Sequence, residues 1–339
     1  MAVVIVAAVM VVSATPPAGA ADHGIQVLSS QRLDPRLTEL TLSTGALRAP
    51  THVRVLLPSG YRKQKPRRYP VLYLLHGAFG NAQDWTTKGA AETITGRRKL
   101  IVVMPDGGQG GWYTDWVNRG QGGPPEWETF HVGQLIPWVD DHFRTDSRRR
   151  ARGIAGLSMG GFGAMSYAAR HPDLFSWAAS FSGAVDIVNY LPVAAVIDLE
   201  APVDGGLPGD QFGDRVLNES NWRAHNPWDL ATNLSRMHLI VDTGNGQPGP
   251  LDPPNRTFDP IENGVESMSV SLHERLLSLG IPHLWNDYGP GTHSWPYWQR
   301  DLSEAMPSLM SNLAPKKGRK KRRGKRQHRA ARPSAVRSG

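Results

Sequence analysis

The stretch running from Arg152-Gly-Ile-Ala through Gly156-Leu-Ser158-Met-Gly160 into Gly161-Phe-Gly-Ala constrains this chain more than any other. A short strand-like run passes within five residues into a helix-forming run, Met159 to Arg170, so the middle residue sits in a sharp bend. Gly156 and Gly160 remove the side chains that would collide there. The bend places Ser158 at the carboxyl edge of a sheet, in front of a helix N-terminus whose dipole favours negative charge. A chain holding 36 glycines in 339 residues meets Gly-x-Ser-x-Gly easily by chance, so the position between strand and helix carries the reading of Ser158 as a nucleophile.

Further runs of strand character lie at residues 37–42, 52–57, 71–75, 100–104, 152–157, 177–181, 238–242 and 284–288, and helical patterns at 127–143, 159–170, 265–279 and 295–313. Strand and helix alternate in the second half. The fold class is therefore α/β, a mostly parallel central sheet with helices on both faces, with the first strands forming an antiparallel edge. Residues 186–233 interrupt the rhythm with Pro, Gly, Asn and Trp, and are expected to form a lid or other insertion.

A serine hydroxyl needs a base that returns its proton to the leaving group, and imidazole suits that task. His293, in the loop Tyr288-Gly-Pro-Gly-Thr-His-Ser-Trp295 between the last strand and the last helix, is the expected base. A carboxylate must then fix its tautomer, and position leaves Asp242, Asp252, Asp259, Glu262 and Glu266 open. The oxyanion hole needs two backbone N–H groups, those of Met159 and, in Leu75-His-Gly-Ala-Phe-Gly80, of Ala78. His76 is expected to shape that turn rather than to move protons. No metal-ligating spacing is recognisable, and the chemistry calls for neither metal nor cofactor.

Cysteine is absent, which excludes a thiol nucleophile, a disulfide framework and a thiolate metal site. The net charge of +8 arises in residues 315–339, which hold twelve Lys or Arg and no acid; the remainder has 26 basic against 30 acidic residues. That segment has almost nothing apolar to bury and is expected to be a disordered basic tail, held, if anywhere, by anionic cell-envelope polymers rather than nucleic acid. The apolar run Met1–Val12 followed by Ala18-Gly-Ala20 predicts a signal peptide over 1–20; without a basic n-region, an uncleaved anchor is the alternative. Residues 21–314 are then one catalytic domain, secreted or associated with the cell envelope.

Several segments carry a family likeness: Met104-Pro-Asp-Gly-Gly-Gln109, Tyr113-Thr-Asp-Trp116, Trp127-Glu-Thr-Phe130, Gly156-Leu-Ser-Met159, Gly244-Asn-Gly246 and Gly291-Thr-His-Ser-Trp-Pro-Tyr-Trp298. Through most of residues 70–312 the chain resembles the antigen 85 mycolyltransferases and the wider esterase D-like group. The resemblance implies the α/β-hydrolase fold and puts the family's acid on Glu262, with Glu266 as the fallback. It also brings His76, Phe79 and Trp295 to the substrate site. The family has an Asp where His76 stands and an Arg where Phe79 stands, while Trp295 matches.

These readings converge on an exported serine carboxylic-ester hydrolase or acyltransferase working through a Ser158 acyl-enzyme, on an ester or acyl-lipid substrate. Transfer to trehalose or another envelope alcohol is the neighbouring reading. A non-catalytic wall-binding protein on the same scaffold is the rival from another class.

Overall fold

The computed structural model describes residues 23–64 and 66–313. The expected signal peptide and basic tail lie outside the described residues. Nine strands form one sheet: β1 (Ile25–Arg32), β2 (Leu37–Thr44), β3 (Thr51–Leu56), β4 (Val71–Leu75), β5 (Ile101–Pro105), β6 (Arg152–Leu157), β7 (Trp177–Phe181), β8 (His238–Thr243) and β9 (Leu284–Asp287). Their spatial order is β1-β2-β3-β5-β4-β6-β7-β8-β9. Pairings from β1 through β3 to β5 are antiparallel, and those from β5 through β4 to β9 are parallel, as the alternation in the second half implies.

The helices are α1 (Asp84–Thr87), α2 (Ala91–Thr95), α3 (Ile136–His142), α4 (Met159–Arg170), α5 (Pro192–Glu200), α6 (Glu219–His225), α7 (Pro260–Ser278) and α8 (Trp295–Leu313). The central strands are buried on both faces, which is why they read as unbroken apolar runs. On one face Leu72, Leu74, Val102 and Leu157 pack against Trp85 and the α8 side chains Trp298, Leu302, Met306 and Leu309. On the other, Val71, Tyr73, Val103 and Ile154 meet α3, α4 and α7 through Val139, Phe162, Met165, Met268 and Leu272.

Three expectations about elements need correction. β1 escaped prediction because it is an edge strand exposed along most of its length, with no buried face to impose alternation. The single helix expected over 127–143 is a π-helical stretch, Thr129–Leu135, continuing into α3. α7 begins at Pro260, not at residue 265, because Asp259 caps it and Pro260 occupies its first turn, where a missing N–H costs nothing. The insertion 186–233 holds α5, α6 and helical turns at Ala201–Asp204 and Ala231–Leu234.

Candidate active site

Ser158 joins β6 to α4 with φ 53° and ψ −122°, a strained conformation for a residue with a side chain. Its N–H donates to Phe181 O (3.0 Å) and its own carbonyl accepts from Phe162 N (3.1 Å), so both neighbouring elements hold the bend. The flanking glycines are required. A Cβ on Gly156 would lie 2.2 Å from Gly160 O, and one on Gly160 would lie 2.4 Å from His76 O.

His293 precedes α8, and its Nδ1 lies 2.7 Å from Glu262 Oε2. With Nδ1–H donating there, Nε2 is left unprotonated as a base. Glu262 is fully buried in the first turn of α7. Its other oxygen, Oε1, accepts from Ser182 Oγ (2.8 Å) and from Gly244 N (2.7 Å). Those donors fix the rotation of the carboxylate, so that Oε2 faces the imidazole.

The other acids considered from sequence are engaged elsewhere. Asp242 is buried at the end of β8, where burial and the neighbouring Asp301 raise its pKa. Asp252 accepts from Tyr297 OH (2.9 Å) and Gly249 N (2.9 Å). Glu266 accepts from Asn263 Nδ2 (3.0 Å). Asp259 holds the site together: Oδ1 accepts from Ile261 N (3.0 Å) and Glu262 N (3.3 Å), and Oδ2 from His293 N (3.1 Å). Burial pushes the Asp259 carboxyl up, but the N–H groups of Glu262 and His293 and the imidazole charge outweigh it and hold the group below its usual 3.8.

A group with a depressed native pKa contributes stability above its unfolded value and loses it as pH falls through the native one. Asp259→Ala is therefore expected to cost about 1–2 kcal/mol in urea unfolding at pH 7. The deficit relative to the wild type should narrow once the pH falls below about 4.

Ser158 and His293 line one cavity of about 550 Å³, together with Ala78, Phe79, Met159 and Trp295. No direct hydrogen bond joins their side chains; such contacts commonly tighten only around a bound substrate. The N–H groups of Ala78 and Met159 donate to no other group among the described residues, whereas Phe79 N is taken by Gln109 O (2.8 Å) and Gly80 N by Gly77 O (3.2 Å). Two unengaged donors thus accompany Ser158 at the cavity wall.

Phe79 and Trp295, the other residues expected at the substrate site, both line the cavity. Phe79 is 62% exposed with φ 57°, and Trp295 packs edge-on against Trp85 (5.3 Å between centroids) and Trp298 (5.3 Å). His76 does not line the cavity. Its ring is buried under the oxyanion loop, with Nδ1 2.7 Å from Gly77 O and Nε2 accepting from Gly107 N (2.9 Å), so it ties that loop to the end of β5.

Sequence reasoning missed Ser182, which has no motif around it, and the insertion residues Tyr190, Pro192, Val193, Val196 and Glu200, which line the cavity without any periodic signal. The Asp259-Pro260 pair is the one overlooked residue signal that was legible: an N-cap before proline places Glu262 in the first turn of α7.

Comparison with known proteins shows the family and the fold. Residues 44–309 match the esterase family model. The Mycobacterium tuberculosis esterase Rv1288 is 36% identical over 281 residues, 80% of this chain, and the chain spans 58% of that protein's length. The Mycobacterium leprae diacylglycerol acyltransferase/mycolyltransferase Ag85B is 31% identical over 255 residues, covering 72% of this chain and 76% of that one. Among solved structures, Mycobacterium tuberculosis MPT51 superposes with a TM-score of 0.66 at 22% identity over 81% of this chain and 97% of its own. The chain therefore belongs to the esterase family, has the α/β-hydrolase fold, and stands with the antigen 85-like members of that family.

Proposed function

We propose that the protein is a serine carboxylic-ester hydrolase or acyltransferase that works through an acyl-enzyme on Ser158. One observation carries this reading: the strained Ser158, His293 bonded from behind by the buried Glu262, and the residues of the two unengaged N–H groups all line a single cavity. Ser158 Oγ attacks the ester carbonyl carbon while His293 Nε2 takes its proton, and the N–H groups of Ala78 and Met159 receive the charge on the carbonyl oxygen. As the tetrahedral species collapses, the bond to the alcohol oxygen breaks and His293 returns the proton to that oxygen. Water or a second alcohol then gives a proton to His293 and attacks the acyl carbon, and Ser158 leaves with the proton restored.

Hydrolysis is the primary outcome in this proposal, because the family's acceptor-binding Asp and Arg are replaced by a buried His76 and an apolar Phe79. The aromatic wall of Trp295 and Trp298, backed by the buried Trp85, with Lys88 Nζ 5.9 Å above the Trp295 ring, supports transfer to a sugar or other envelope alcohol as the second reading. The segment 186–233 serves as a partial lid through α5, and the protein acts outside the cytoplasm on ester or acyl-lipid substrates. The test is turnover of p-nitrophenyl esters with and without trehalose. Free acid as the main product under both conditions supports hydrolysis, and acyl-trehalose as the main product overturns that ranking.

A further inference from the structure

Glu200, the last residue of α5, lies in the cavity wall and is 6% exposed. Its Oε2 accepts from Trp112 Nε1 (2.7 Å), and Oε1 makes no hydrogen bond to the protein among the described residues. The other charged groups at the cavity have partners of opposite charge or a hydrogen-bonded imidazole: Lys88 Nζ pairs with Asp84 Oδ1 (3.1 Å), and His293 with Glu262. Among the described residues Glu200 has only a neutral indole. Burial is the main cause pushing its pKa up to about 7, with the nearby Asp204 adding to it and the Trp112 bond opposing it. A carboxyl that is substantially protonated near neutrality both donates and accepts, in a wall otherwise built from Trp112, Met159, Val193 and Val196.

Its position decides which part of a substrate it would meet. His293 must reach the oxygen of the leaving alcohol, so that alcohol lies toward His293 and Trp295. Glu200 stands with Trp112, whose ring packs 5.5 Å from Phe162 of α4, on the wall that also holds Met159. In the proposal below, that wall receives the acyl group. Unmet, the Oε1 oxygen would make an alkyl chain an unfavourable occupant, since burying a polar group without a partner costs free energy.

Resting on the Ser158 reading above, we propose that Glu200 is a specificity residue that selects esters whose acyl group carries a hydroxyl away from the reacting carbonyl, by hydrogen bonding that hydroxyl through Oε1. The test uses matched pairs of p-nitrophenyl alkanoates and p-nitrophenyl ω-hydroxyalkanoates from four to eight carbons, with kcat/KM measured from p-nitrophenolate release. The wild type should favour the hydroxylated member at one chain length by about tenfold, the discrimination expected of one hydrogen bond to a polar buried partner. Glu200→Gln, which keeps a donor and an acceptor, should retain most of that preference, and Glu200→Leu should reverse it in favour of the alkyl ester.

Turnover of the alkyl esters reports in each variant that the protein is folded. A wild type that prefers the alkyl ester at every chain length overturns the proposal without any variant. A hydroxyl preference that is the same in all three proteins overturns it too, because Glu200 would then only anchor α5 to Trp112. Failure of the folded wild type to cleave any of these esters contradicts the Ser158 reading itself, a result distinct from either.

Discussion

Replacing Ser158 with Ala is expected to lower kcat for p-nitrophenyl ester cleavage by about 10⁴- to 10⁶-fold, because nucleophile and base act as a unit and the loss of either removes the covalent route. What persists should be the small enhancement left by the oxyanion donors and by binding. The substitution removes only the hydroxyl. Ala inherits the same positive φ, and Ser158 Oγ makes no hydrogen bond among the described residues, so the unfolding midpoint in urea should stay close to that of the wild type. Activity and stability thus separate. A variant that kept its activity would remove Ser158 from the chemistry.

Glu262→Gln is the second large effect, and the geometry fixes its sign. Ser182 Oγ and Gly244 N both donate to Oε1, so the amide of Gln would turn its carbonyl oxygen toward them. The amide NH₂ would then occupy the place of Oε2 and face His293 Nδ1 as a donor. Imidazole can accept there only by carrying its proton on Nε2, the tautomer that cannot take a proton from Ser158. A fall in kcat of about 10³- to 10⁴-fold follows. Glu266→Gln serves as the control: Glu266 bonds Asn263 rather than His293, and the substitution should leave kcat unchanged. Equal effects of the two substitutions would show that neither acid orients the base.

The residues that act through local backbone geometry were legible in the sequence, and those that act through tertiary placement were not. Ser158 was readable because strand, bend and helix follow one another within a dozen residues, and the structure shows the same succession. His293 was readable because the order of strands and helices places one loop at the carboxyl edge of the sheet. Glu262 could not be separated from four other acids by position. What distinguishes it is contact with Ser182, Gly244 and His293, residues 80, 18 and 31 positions away; the family resemblance supplied what spacing lacked.

His76 shows where the resemblance and the local reading of the residues part. The family resemblance brought His76 to the substrate site, yet its ring turns beneath the loop to bond Gly77 O and Gly107 N, in keeping with the turn-shaping part that the residues themselves suggested. Glu200 lay in a segment with no periodic pattern, and only the return of α5 against Trp112 brings it to the cavity.

The central claim is that Ser158 carries the acyl group between donor and acceptor. Mass spectrometry of the protein quenched during turnover of a p-nitrophenyl ester tests it most directly. The account predicts an adduct of the acyl mass on the peptide containing Ser158, lost in Ser158→Ala. Steady ester turnover by the wild type with no adduct on Ser158, or with the adduct on another residue, would contradict it.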